Sequence, residues 1–179
     1  MSESAGIGEV RRAGRLRRWV SPYFADDADV AADAIYGVIL VTAVTVATSA
    51  HGGSVTEVFV VAAVSVLVFW VAHVYAVMLG TYAQGEHSVA SAARAAVREE
   101  VGMLQATLLP LAILAAGVVG LIEGPLAVWL ALWSGVVVLV VVPTLELRRR
   151  GRPWPVSIAA GVGAGVLGLV LVGLKALLH

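Results

Sequence analysis

Two sets of side chains in this sequence are of the kind that handles ions. Glu86, His87, Glu99 and Glu100 bracket the segment EHSVASAARAAVREE (86–100). Carboxylate and imidazole together suit first-row divalent metals, so these four are candidate metal ligands. The second set stands in or beside strongly apolar sequence: Asp33, His73, Met78 and Gln105. An ionisable group in such surroundings is costly unless paired or used, which makes these four candidates to line a transport path. Each set also has a structural reading. A neutral His73 can hydrogen-bond to Thr42 or Thr45 on a neighbouring helix and hold a bundle together. Asp33, with Asp26, Asp27 and Asp29, can load the start of a helix with favourable charge.

The elements that must position these groups follow from hydropathy. The 179 residues are 60% hydrophobic and 13% charged, far below the roughly 25% charge of a soluble domain. Five segments lack formal charge for about the 20 residues that cross about 30 Å of hydrocarbon as a helix. They run over about 30–50, with Asp33 at its start, 58–82, 101–122, 125–145 and 154–174. The apolar runs are too long and too little alternating for barrel strands. The expected fold is therefore an all-α integral membrane protein with five transmembrane helices and a short interfacial amphipathic helix between spans two and three. Residues 1–29 form a basic and acidic N-terminal segment, and 30–179 the membrane domain. HGGS (51–54) and EGP (123–125) are short enough to be tight turns, with Pro125 in the first turn of the fourth span. There is no cysteine, which excludes disulfides and thiolate chemistry.

Charge asymmetry sets the expected orientation. All eleven arginines fall before span one, between spans two and three, or between spans four and five; the single lysine, Lys175, falls at the opposite end. Basic loops stay in the cytoplasm, so the N-terminus is expected inside and the C-terminus outside a plasma membrane. Arg11, Arg12, Arg15, Arg17 and Arg18 are expected to lie along anionic lipid headgroups, each contributing about 1 kcal/mol near the surface, or simply to set topology. ADDAD follows them where a cleavable signal would have its apolar stretch.

Between spans two and three, His87, Ser91, Arg94 and Arg98 recur at helical spacing opposite Val89, Ala92, Ala93, Ala96 and Val97, predicting a helix that lies on the membrane surface. Glu99 and Glu100 then fall where the third span's dipole favours negative charge. Pro110 should kink that span, with Gln105 and Thr107 near enough to satisfy freed backbone groups. Gly161, Gly165 and Gly168 share one face of span five and let a neighbouring backbone approach closely, either within the bundle or in a dimer.

DAIYG (33–37), LGTY (79–82) and GRPWP with the Gly/Ala-rich helix after it (151–168) resemble corresponding parts of the vacuolar iron transporter family. The resemblance implies five spans with a cytoplasmic N-terminus, a homodimer, and a divalent metal ion as cargo, collected by acidic groups between spans two and three. This chain departs from the pattern in span one, where VILVT (38–42) carries no acid. In span two, Phe69 and Val77 stand where the family has a glutamate and a methionine. A fainter likeness to bacterial potassium channels of the lysosomal-channel type rests on the acid and aromatic at the head of span one and the histidine in span two.

Enzyme signatures are missing: the chain contains no H-E-x-x-H, no G-x-S-x-G and no carboxylate pair within the spans. No resident cofactor and no nucleic-acid partner are expected. The functional expectation is a small cation transporter of iron-transporter-like fold. The alternatives are a non-transporting membrane scaffold that binds a partner and a potassium-type channel.

Overall fold

A computed structural model describes residues 27–83 and 88–177. These form six helices: α1 (Asp27–Ala50), α2 (Val55–Ala83), α3 (Val89–Glu99), α4 (Val101–Val118), α5 (Gly124–Arg149) and α6 (Trp154–Leu177). All but α3 are long and apolar enough to cross a bilayer, and the chain is a multi-pass membrane protein. Each span lies within a few residues of its expected place. Within the turn at 51–54, Gly52 has φ +77°, a left-handed conformation that glycine adopts without penalty. Ser54 and Glu57 then start α2 with a capping box: Glu57 Oε2 accepts from the Ser54 amide at 2.7 Å, and the Glu57 amide donates back to Ser54 Oγ at 3.3 Å.

The enclosed helix is α1, which packs against α2, α4, α5 and α6. In its membrane window 44% of residues are buried, against 17% for α2, which is the most peripheral span. Lipid tails are as apolar as leucine, so contact between spans depends on close packing rather than on the hydrophobic effect. Small residues provide it. A Cβ added at Gly37 would lie 2.9 Å from Met103 Cγ on α4, and one at Gly135 would lie 2.6 Å from Thr42 Oγ1. The α5–α6 hairpin closes in the same way: a Cβ on Gly165 would stand 2.5 Å from Val140 Cγ2, and one on Gly161 would meet Thr144 and the Val140 carbonyl. Gly168 faces Leu139 and Val136. The glycine face of α6 is thus occupied by α5 of the same chain. Around it Val46, Val58, Ala62, Leu114, Leu132 and Val136 form part of the apolar core.

The short helix α3 lies between spans two and three as expected: Ala92 and Ala96 are fully buried where it meets α2 and α4, while Val89 and Val97 are exposed beside Arg94 and Arg98. Alanine is small enough for helix contact, and the valines project past it. Gln105 does not serve the backbone at Pro110 from inside the bundle. It is exposed, roughly half a turn away from the buried Met103 and Thr107, and Thr107 Oγ1 donates to Leu104 O at 2.9 Å rather than to the Ala106 carbonyl that Pro110 leaves free.

Candidate functional site: a buried lysine at one end of the bundle

One face of α6 is buried at Ser157, Gly161, Gly165, Gly168, Val172 and Lys175. Gly161, Gly168 and Lys175 are spaced by seven residues, about two helical turns, so they share a stripe. The glycines draw that stripe onto α5, and its last member goes in with it. Lys175 is only 3% exposed. Its Nζ donates to Ser49 Oγ at 2.7 Å, and Ser49 Oγ donates onward to the Thr45 carbonyl at 2.6 Å. The ammonium also stands 5.9 Å from the centroid of the Trp129 ring, within reach of a cation–π attraction. Among the described residues the ion pair is Glu146–Arg150 at the opposite end of the bundle, and no carboxylate pairs with Lys175.

Lys175 lines a cavity of about 280 Å³ together with Ser49, Gly53, Ser54, Gly124 and Trp129. α2 and α5 both begin at this cavity, at Val55 and Gly124. Their first turns bring the positive ends of two helix dipoles to it. They are not equivalent: Ser54 caps α2, whereas α5 has no side-chain cap. A shallower, more open cavity on the other side of the turn is lined by Ala47, Thr48, His51 and Glu57. His51 Nδ1 lies 2.7 Å from Ala47 O there and is exposed.

From Lys175 a file of hydroxyls descends α1. Thr42 and Thr45 are each 1% exposed and Ser49 is 7% exposed. Thr42 Oγ1 closes on Val38 O at 2.7 Å, while the buried Thr45 hydroxyl has no hydrogen-bond partner among the described residues. Thr42 faces Gly135 across a close α1–α5 contact, where an added Cβ would lie 2.6 Å from Thr42 Oγ1.

The residues expected to handle a metal are placed as follows. Asp33 is half-buried on α1, one turn before Gly37. Glu100 is 2% exposed at the junction of α3 and α4, where its carbonyl accepts from Trp70 Nε1 at 3.1 Å. Glu99 ends α3. Met78 is half-buried near the end of α2, and Gln105 is exposed. Glu86 and His87 lie outside the described residues, as do Arg11, Arg12, Arg15, Arg17 and Arg18. Among the described residues no three His, Asp or Glu side chains come together as a metal-binding group. His73 is half-buried on the stripe that continues Val58, Ala62 and Val66 along α2, with its ring 4.8 Å from that of Phe69. It does not reach Thr42 or Thr45: it makes no hydrogen bond among the described residues. Tyr36 and Tyr75 are exposed. The buried polar groups therefore belong to α1, α4 and α6 rather than to α2.

At the arginine-rich end, the α5–α6 turn is tied by Arg148, which stacks 4.4 Å over Trp154 and donates to Arg152 O at 2.8 Å. No family model, no curated protein and no solved structure matches this chain.

Proposed function

We propose that this protein is a partner-binding membrane protein rather than a conduit, and that it self-associates through α2. The observation that carries this reading is His73: an imidazole within an apolar span, half-buried, with no hydrogen bond among the described residues. A polar group at that depth without a partner costs several kcal/mol, so a second helix that supplies one gains that energy on docking. The low burial of α2 leaves room for such a helix. The close contact of Thr42 and Gly135 weighs against a path between α1 and α5 at that level. In this reading the protein sits in a plasma membrane with the arginine-rich end in the cytoplasm, associates there with anionic lipids, and is no enzyme.

The chain has no cysteine, so single cysteines report contacts cleanly. Ala72→Cys and Ala76→Cys, exposed beside His73, should give disulfide-linked dimers on oxidation in native membranes. Val166→Cys, exposed on α6, should not. His73→Phe should weaken the α2 cross-link. Equal or absent cross-linking at all three positions would overturn self-association through α2.

The cation-transporter reading has one observation in its favour. Asp33 precedes Gly37 by one turn, and Glu100 precedes by three residues the Met103 that Gly37 meets, so an acid of α1 and an acid of α4 share one end of the bundle. Flux of iron(II), manganese(II), zinc(II) or potassium into liposomes above the level of empty vesicles, lost in Asp33→Asn, would replace the non-conducting reading with this one.

A further inference from the structure

The lone lysine of the chain is buried, carries a positive charge when protonated, lies beside a cavity, and has no carboxylate partner among the described residues. An ammonium taken out of water needs compensation, and one serine hydroxyl with a ring 5.9 Å away supplies it only in part. Ser49 uses its own proton on the Thr45 carbonyl, so it acts toward Lys175 as an acceptor, and the ammonium retains two further N–H donors. The acids on the adjoining turns do not pair with it: Glu57 is held by the Ser54 amide and hydroxyl at 2.7 and 3.1 Å, and Glu123, exposed at the head of α5, is not among the residues that line the cavity.

We propose that the cavity beside Lys175 is a binding site for an anionic group, a carboxylate or a phosphate, which pairs with the Lys175 ammonium. Two features of the cavity suit an anion. The charged donor is pre-positioned by Ser49 and Trp129, so little ordering accompanies binding. The start of α5, which has no side-chain cap, brings the positive end of its helix dipole to the same space. The volume of about 280 Å³ accommodates a small carboxylic acid or the phosphate portion of a lipid headgroup, and the site lies at a span end where either could enter. The site is independent of self-association through α2 and of whether the bundle conducts.

Because the chain has a single lysine, ¹⁵Nζ-lysine labelling gives one side-chain resonance that belongs to Lys175. Full-length protein in nanodiscs of zwitterionic lipid is titrated with inorganic phosphate and with acetate at constant ionic strength. A second sample is prepared in phosphatidylglycerol nanodiscs. A saturable shift of the resonance with phosphate or acetate supports a free anion as ligand. A shift seen only on changing to phosphatidylglycerol supports a lipid headgroup. Anion-dependent thermal stabilisation should also be present in the wild type and lost in Lys175→Met. A resonance identical in all four conditions overturns the proposal and leaves Lys175 as an internally hydrogen-bonded group. The reading on the wild-type protein stands even if Lys175→Met fails to fold.

Discussion

Lys175 Nζ donates a 2.7 Å hydrogen bond to Ser49 Oγ, and this bond ties the last helix of the chain to the first. It closes the bundle at one end because α1 and α6, distant in sequence, both pack around the same α5. A hydrogen bond to a charged group contributes about 1.5–3 kcal/mol when buried. Ser49→Ala should therefore lower stability by about that amount. In a Lys175→Met background the same change should cost well under half as much, because the charge it served is gone. Denaturation of the two single variants and the double variant checks this coupling; additive effects would show that the bond contributes little.

The glycines of α6 make a second expectation specific. Gly161→Ala would drive a Cβ into Thr144 Oγ1 and the Val140 carbonyl, and overpacking of this kind costs about 1–3 kcal/mol. Gly163, two residues along, faces open space, and Gly163→Ala should be neutral or stabilising by up to about 1 kcal/mol through helix propensity. The contacts lie within one chain, so neither variant should change the oligomeric state measured by light scattering. Loss of a dimer in Gly161→Ala with stability unchanged would place this face between chains instead.

At the 51–54 turn, Ser54→Ala removes the hydroxyl that caps the Glu57 amide. Helix N-caps contribute about 1 kcal/mol, so a loss of that order is expected, with Ser54→Asp close to wild type. Hydrogen exchange of the first turn of α2 measures it directly, and unchanged protection in Ser54→Ala would count against the cap.

The spans were legible because hydropathy alone decides them, and their ends fell where Pro125, HGGS and the arginine clusters indicated. The site is less legible, for reasons that specific residues show. In the sequence Lys175 stands out only as a topological charge, although continuing the Gly161–Gly168 interval by another seven residues reaches it and predicts its burial. The Ser54–Glu57 capping box is an S-x-x-E pattern directly before an apolar run and could have been read from the sequence. His73, by contrast, invited a partner on α1. Nothing in the sequence states that α1 turns its threonines toward α5 and its own carbonyls, since that depends on Gly135 allowing the close approach. Composition marks which side chains are costly in a membrane, but only packing determines which of them meet.

Orientation is the expectation on which the position of the Lys175 site depends. In sequence the eleven arginines fall before α1, on α3 or at the α5–α6 turn, whereas Lys175 falls near the far end of α6. Cytoplasmic retention of basic loops would put the α5–α6 turn, with Arg148, Arg149, Arg150 and Arg152, inside the cell and the Lys175 cavity toward the outer leaflet. Alkaline phosphatase fused after His179 should be active, and the same enzyme inserted after Gly151 should be inactive. A burial-independent check is labelling of Ser54→Cys on intact cells by a membrane-impermeant maleimide, since Ser54 is exposed on the turn beside the cavity. Labelling should be comparable before and after lysis. If Ser54→Cys reacts only after lysis, the bundle is inverted, and any ligand of the Lys175 cavity comes from the cytoplasm.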